Sequence, residues 1–402
     1  MELKNTRGKN RTVRLIAALC MCMASVAASA QAAWCAGVDD IRAQEEETGY
    51  VFFERFTFGL EAVTVLQGSV NNNHNWKRVP GYPTRHDREK LQVLTDLKLE
   101  ARLWQGASAL ARVEAADGTG LSRQAGGLTG VNDNVKDFDE KVAEFWIEQA
   151  LFDERLVITL GRLDPFAYFD TNEVANNERG QFLSSQFVNS LAIDSPEYAY
   201  GARITVTPLA WIALSAGVFE DGRKFANISK DRLSIGELAV MPELLGRAGT
   251  YRIYAWHNSS DHEKLRNPQN NNESGTGFGI SFDQYLTDNV CAFARWGRQS
   301  SDIYEAKQAW SLGVQVAGSA WQRPDDVFGL AYGRAVPGGA FRDQLRADAI
   351  RTADEGRIEA YYNFKLNKHI FISPDIQVAH NLTGARKANT VTTFGLRLHV
   401  VL

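Results

Sequence analysis

Long hydrophobic runs are absent from this 402-residue chain beyond its first thirty residues. No later stretch reaches the roughly 18 apolar residues of a membrane-spanning helix. Residues 15–28 are apolar, but this run is short and rich in alanine, follows five basic residues and leads into a small-residue site. That order is typical of a secretory signal peptide. We therefore predict a signal peptide over residues 1–30 with cleavage after Ala30, or alternatively after Ala32. A short periplasmic leader over 31–50 and a single domain over 51–402 would follow it.

Cysteine is also scarce, and the positions of the few cysteines argue against a disulfide-rich protein and against a lipoprotein. Of the four cysteines, Cys20 and Cys22 leave with the signal peptide, whereas Cys35 and Cys291 remain. Two cysteines so far apart do not indicate a disulfide framework. Neither Leu19 before Cys20 nor Trp34 before Cys35 is the small residue that a lipoprotein signal requires.

Catalytic motifs are missing as well. The sequence has no Gly-x-Ser-x-Gly element, and none of its seven histidines shares a short motif with a serine and a carboxylate. His257 and His262 are the one pair near metal-ligand spacing, and they fall in a predicted loop. We predict no catalytic residue, no metal site, no cofactor and no enzymatic activity.

Charge of one sign does not dominate the composition. The formal net charge is −4, and it becomes −8 once the signal peptide, which carries +4, is removed. This balance disfavours nucleic acid as a partner. Charged residues make up 23% of the chain and apolar residues 44%, with 33 glycines. Such a mixture is typical of a large barrel whose strands each have one polar side.

The last nine residues show the clearest pattern in the chain. Phe394, Leu396, Leu398, Val400 and Leu402 fall on one face of a strand, and polar residues fall on the other. This alternation is typical of the closing strand of an outer-membrane barrel, which faces lipid on one side. The terminal leucine departs from the aromatic residue that usually ends such proteins.

The same alternation predicts sixteen strands, an even number as bacterial barrels require. They cover residues 52–67, 91–104, 107–116, 141–150, 155–162, 197–206, 210–219, 233–240, 250–257, 276–284, 289–298, 306–318, 325–334, 355–366, 369–380 and 389–402. Short connections, with 207–209, 286–288 and 367–368 among them, alternate with long polar ones. Long loops at one end and short turns at the other favour a transmembrane antiparallel β-barrel over a soluble sandwich.

A wall of charged side chains identifies the water-facing side. In the second strand, Asp96, Lys98, Glu100 and Arg102 alternate with leucines. Such charges would cost a few kcal/mol each if they faced lipid near the bilayer midplane. Extending this alternation predicts pore-lining side chains, which are Arg102, Arg112, Glu114, Glu144, Trp146, Glu148, Arg162, Arg203, Arg252, Trp256 and Arg295. Any one of these residues could instead simply solvate the lumen and pair with its neighbours.

The longest connection, residues 163–196, is the predicted constriction. It is rich in Phe, Asn, Asp and Gln, which suit sugar hydroxyls and the C–H faces of sugar rings. We expect it to fold into the lumen and to present Asp164, Asp170, Asn172 and Asn176. An alternative is that its aromatic residues pack the loop against the barrel wall, and the two roles are compatible.

Several of these segments together resemble a known family. The block 161–189, with its Leu-Asp-Pro and Tyr-Phe-Asp-Thr-Asn elements, is similar to the carbohydrate-selective porins of the OprB type, as are 195–201, 250–256 and 277–282. The resemblance implies an outer-membrane porin of sixteen strands that admits monosaccharides such as glucose by facilitated diffusion.

Two other functions stay open at this point. A general porin, or one for anions or organic acids, fits the same fold, because lumen arginines would also serve carboxylates. A barrel enzyme fits less well. As partners we predict sugars and small hydrophilic solutes, outer-membrane lipid and lipopolysaccharide, the barrel assembly machinery through the C-terminal strand, and a homotrimer.

Overall fold

The computed structural model describes residues 50–52, 55–71, 89–118, 120–122, 127–134, 140–221, 230–267, 269, 272–386 and 390–402. The predicted signal peptide, Cys35 and almost all of the predicted leader lie outside these residues. The division into domains therefore stays a prediction.

Sixteen long strands form the body of the protein. They are β1 (Phe56–Val70), β2 (Glu89–Trp104), β3 (Ala107–Gly118), β4 (Glu140–Leu151), β5 (Leu156–Leu163), β6 (Ala199–Leu209), β7 (Ile212–Glu220), β8 (Arg232–Val240), β9 (Arg247–His262), β10 (Glu273–Thr287), β11 (Val290–Gln299), β12 (Ala306–Ala317), β13 (Val327–Pro337), β14 (Glu355–Asn367), β15 (Ile370–His380) and β16 (Val391–Val401). All sixteen overlap the predicted strands.

The sheet closes on itself. Each strand pairs antiparallel with its neighbours in the chain, and β16 pairs with β1 from Thr392↔Val70 to Val401↔Glu61. The main-chain N–H of Leu402 also donates to the Leu60 carbonyl at 2.8 Å, and Leu60 returns the bond at 3.0 Å. Two short strands, Tyr50–Phe52 and Glu243–Leu244, add to β1 and β9. The prediction of a closed antiparallel barrel of sixteen strands is confirmed.

Strand ends differ from the predictions by a few residues. The largest difference is in β9, which extends beyond the predicted 250–257 at both ends, to Arg247 and His262. The predicted turn at 207–209 belongs to β6 instead, because Leu209 pairs with Ile212 across a turn at 210–211.

Connection lengths divide the barrel into two ends. At the short-turn end, strands are joined through residues 105–106, 152–155, 210–211, 241–246, 288–289, 318–326 and 368–369. At the long-loop end, the connections include 164–198, 263–272 and 338–354. Short helices occur in these connections: α1 (Ser185–Val188) in the first of the long ones and α2 (Gly339–Ala347) in the last. In the described part of the chain, no helix is sufficiently long and apolar to cross a membrane.

The two faces of the wall differ sharply in chemistry. Large apolar side chains such as Leu97, Ile253 and Leu312 remain exposed on the outer face. On the inner face, Asp96 is 1% exposed and Arg397 is fully buried. Burial of charges is costly unless they are paired, so the interior must contain partners for these side chains.

Candidate functional site

Residues 164–198, here called the long segment, connect β5 to β6 and are largely buried. Pro165–Ala167 form a turn of 3-10 helix whose start is capped by Asp164, which accepts a hydrogen bond from the Phe166 N–H at 2.9 Å. Ser184 caps α1 in the same way by accepting from the Gln186 N–H. Such caps satisfy main-chain donors that an isolated short helix would leave unpaired.

Aromatic packing ties the long segment to inward-facing residues of distant strands. The Phe182 ring lies 4.9 Å from that of Tyr361 on β14 and 5.7 Å from that of Phe293 on β11. The Phe169 ring lies 6.0 Å from that of Phe219 on β7, edge to face. Pairs of this geometry add roughly 0.5–1.5 kcal/mol each to the energy of burial.

Arg179 connects the long segment to β1, β2 and β3. Its guanidinium group contacts the carboxylates of Glu61, Asp96 and Glu114. Arg112 on β3 shares two of these partners, with 3.1 Å to Asp96 and 2.9 Å to Glu114. All of these side chains are nearly inaccessible to water, so Asp96 and Glu114 depend on the two arginines for compensation. Glu61 is also contacted by Lys98 at 3.8 Å and by His399 at 2.7 Å.

Arginines on other strands bind the main chain of the long segment. Arg295 on β11 donates to the carbonyls of Ala175, Phe187 and Asp170. Arg397 on β16 donates to two further carbonyls of the segment, those of residues 178 and 181.

Carboxylates of the wall complete this anchoring. Glu359 on β14 accepts from the N–H groups of Leu183 and Ser184, and Glu237 on β8 accepts from the Asp170 N–H at 2.8 Å. Polar contacts therefore run from the long segment to strands all around the cylinder.

The predicted pore-lining residues take part in four ion-pair groups. Arg112, Glu114 and Glu144 lie together, with Glu144 3.0 Å from the Arg112 guanidinium. Arg203 lies 2.7 Å from Glu148 and donates to Thr159 and Thr205. Arg252 pairs with Asp283 at 2.6 Å, and Arg295 with Asp170 at 3.2 Å. The wall arginines in these groups are therefore matched by carboxylates.

The second of these groups is open to solvent. Glu148 keeps 25% of its side chain exposed and Arg203 keeps 14%. The Arg203 guanidinium also stacks over the Tyr168 ring at 4.1 Å from its centroid. Burial, reinforced by the carboxylate of Glu144, raises the pKa of the Tyr168 hydroxyl above its usual value. A planar cation, a carboxylate and a neutral phenol thus lie together at the surface of the lumen.

The four polar residues predicted to project from the long segment hold it in place instead. Asp164 caps a turn, and Asn172 donates to the Ser281 hydroxyl and the Phe282 carbonyl. Asn176 accepts from Asn189 and Arg295. Asp170 is fully buried. Burial raises the pKa of Asp170 to about 6, although the nearby guanidinium of Arg295 and the Ser190 N–H oppose this shift.

The two predicted tryptophans differ in accessibility. Trp256 is 4% exposed, and its indole N–H donates to the Ala192 carbonyl at 2.8 Å. It lies flat over Gly277, where a Cβ would come within 2.7 Å of the indole. Trp146 is half-buried against the Phe169 cluster, and its indole nitrogen has no hydrogen-bond partner among the described residues.

Two of the arginines predicted to line the pore lie outside the ion-pair groups of the lumen. Arg102 is exposed near the short-turn end of β2, with no ion pair among the residues that the structure describes. Arg162 is on the outer face, contrary to the prediction. It pairs laterally with Phe145 and Tyr200, and its guanidinium donates to the Ala143 carbonyl and lies 5.7 Å from the centre of the Tyr200 ring.

Apart from Arg295 and Glu114, the anchors of the long segment are not among the predicted pore-lining residues. Glu359 and Arg397 are recognisable in the sequence as polar residues on the inner faces of β14 and β16, but no pattern marks them as contacts of a loop. Arg179 lies in irregular chain, where no periodicity indicates a direction.

The family of the chain follows from its sequence. Residues 84–402 match the family described as carbohydrate-selective porin, OprB family. The chain belongs to this family. The resemblance found in the sequence is thereby confirmed, and OprB-family proteins form channels and are not enzymes.

Relatives and solved structures agree with this family. Porin AaxA of Chlamydia caviae is 21% identical to the OprB-family chain over 287 residues, which are 69% of this chain and 61% of that protein. The chain thus matches less than two thirds of that relative. The high-pH structure of Pseudomonas putida OprB superimposes with a TM-score of 0.75 at 17% identity, covering 90% of this chain and 96% of that one. The channel DcaP of Acinetobacter baumannii gives 0.53 at 10% identity, covering 88% and 100%.

These similarities show the barrel fold and place the OprB-family chain in the outer membrane. The apolar outer face then contacts lipid, and the polar inner face encloses the lumen.

Proposed function

We propose that this OprB-family chain is a porin for the passive diffusion of carbohydrates, including monosaccharides such as glucose, and that the long segment narrows its lumen. The observation that carries the proposal is the anchoring of the long segment to opposite parts of the wall. A sixteen-stranded barrel is wide enough to hold an aqueous channel, so a segment held across it sets what passes.

Charge pairing in the wall supports a preference for uncharged solutes. Arg112, Arg203, Arg252 and Arg295 each lie beside a carboxylate. A wall of paired charges has strong local dipoles and little net potential, so it favours hydroxyl-rich neutral molecules over simple anions. The name of the family points to the same class of solute.

Within the lumen we assign the solute contact to the open group of Glu148, Arg203 and Tyr168. A carboxylate accepts hydrogen bonds from sugar hydroxyls, and a guanidinium donates two in a fixed plane. Trp146 is half-buried against the same aromatic cluster as Tyr168, and we assign its aromatic face to the C–H surface of a sugar ring. The four polar residues of the long segment act instead as positioning residues.

Liposome swelling tests this proposal. We expect glucose and arabinose to enter faster than maltose and raffinose, and faster than succinate or phosphate. Replacing residues 171–189 with a short Gly-Ser linker should admit the larger sugars and reduce the discrimination. Replacement of the 263–272 loop by the same linker is the control. Faster entry of succinate than of glucose would contradict the assignment to carbohydrates, and an unchanged size limit in the shortened variant would contradict the constriction.

A further inference from the structure

A separate basic cleft lies at the long-loop end, where the 338–354 connection meets residues 381–386. Its volume is about 390 Å³, and it is lined by Arg346, Ala349, Ile350, Arg351, Thr352 and Arg386. None of these residues contributes to the ion-pair groups of the lumen described above.

Main-chain hydrogen bonds give this cleft a defined shape. Ala349 adopts a left-handed conformation with φ of 61°, and the Ile350 N–H returns to the Leu345 carbonyl at 2.8 Å, so α2 ends in a closed turn. Thr352 then bridges to Ala385, and the Arg386 N–H donates to the Arg351 carbonyl at 2.7 Å. The chain thus holds Arg351 and Arg386 side by side on two different loops.

The charges of the cleft are of one sign. Three of the six lining residues are arginines and none is acidic. Arg346 makes an exposed ion pair with Asp343 at 3.2 Å, but Arg266 engages the same carboxylate group at 2.7 Å. Arg351 and Arg386 have no ion pair with any residue that the structure describes, unlike the paired arginines of the lumen.

We propose that this cleft binds a phosphate group. Guanidinium groups bind phosphate oxygens in a bidentate fork and keep their charge at any physiological pH. Three of them around one concave surface match the charge of a phosphomonoester or a pyrophosphate, and the Thr352 hydroxyl adds a donor that is not charged. The position at the long-loop end exposes the cleft both to the phosphates of outer-leaflet lipid and to soluble phosphate esters.

Binding of two probes by the full-length protein tests this proposal. Isothermal titration with inorganic pyrophosphate measures a soluble ligand, and flotation with vesicles that contain lipid A measures a lipid headgroup. The test variant is R351Q/R386Q. The control is R155Q/K368Q, which removes the same charge from exposed residues of the short-turn end.

We expect the test variant to bind at least one probe about tenfold more weakly than the wild type, which is the effect of losing a charge-assisted hydrogen bond, and the control to match the wild type. Weakened binding of pyrophosphate alone assigns a soluble phosphate, and weakened flotation identifies the lipid headgroup. Equal binding of both probes by test variant and wild type, or no binding by either protein, overturns the proposal. Glucose permeability of the test variant should be unchanged, so this result is independent of the proposed channel function.

Discussion

Removal of the Arg179 guanidinium should release the long segment from β1, β2 and β3. In R179Q, the carboxylates of Glu61, Asp96 and Glu114 lose a shared partner in a site with almost no access to water. Breaking a buried ion pair from one side costs about 3–5 kcal/mol, because the remaining charge has no compensation.

This energetic cost should undock the long segment and leave the barrel folded. Arg112 still compensates Asp96 and Glu114, and the Lys98 ammonium remains 3.8 Å from Glu61. The strands keep their main-chain ladders, so undocking of the segment relieves the unpaired charges at the lowest cost. A change of about 3 kcal/mol shifts a docking equilibrium by more than a hundredfold.

Single-channel conductance in planar bilayers measures the outcome. We expect R179Q to show larger and noisier conductance than the wild type and to admit raffinose in liposome swelling. R179K, which keeps the charge but not the planar fork, should lie between them. In E61Q/R179Q the increase in conductance should be smaller than in R179Q, because one unpaired carboxylate has been removed. Heat-modifiable gel mobility checks that the barrel has folded. Wild-type conductance and raffinose exclusion in a folded R179Q protein would refute the reasoning.

Three further outcomes follow from other contacts of the long segment. The pKa of Asp170 is about 6 in the folded protein, which is above the unfolded value of about 4. The folded state therefore binds more protons between these values, and docking of the long segment should weaken as the pH rises from 4 to 6. Hydrogen exchange of residues 164–198 measures this pH dependence, which should be lost in D170N. E359Q removes one of the two carboxyl oxygens that accept from main-chain amides just before α1. This should speed exchange there by at least about tenfold, and unchanged protection would contradict this role. G277V places a Cβ against Trp256 and should lower the melting temperature and shift tryptophan emission to the red, whereas G236A, with no neighbour closer than 3.9 Å, should behave as the wild type.

Alternation predicted the barrel because lipid and water impose opposite requirements on successive residues. From Asp96 to Leu103 of β2, charged and apolar residues alternate without interruption, and both the strand and these faces are as predicted. In β5 the pattern is weaker, since Val157 and Leu163 are apolar yet lie on the inner face. The direction of Arg162 was therefore not determined by the sequence around it.

The composition of the long segment predicted its inward role, but the sequence did not predict the directions of its side chains. Its aromatic and amide content indicated an inward role, but irregular chain has no period from which directions follow. Asp170 and Asn172 are polar enough to bind a solute, yet their neighbours in space, such as Arg295 and Ser281, are more than a hundred residues away in the sequence. Only the closed fold brings these partners together.

Two wall arginines, Arg295 and Arg397, recognise peptide carbonyls of the long segment. Every amino acid carries such a carbonyl, so these hydrogen bonds do not depend on which side chains the bound residues have. Positions of the long segment whose own side chains make no contact with the wall are therefore the ones to vary in libraries that seek new permeants, because these two arginines hold the backbone without reading its side chains.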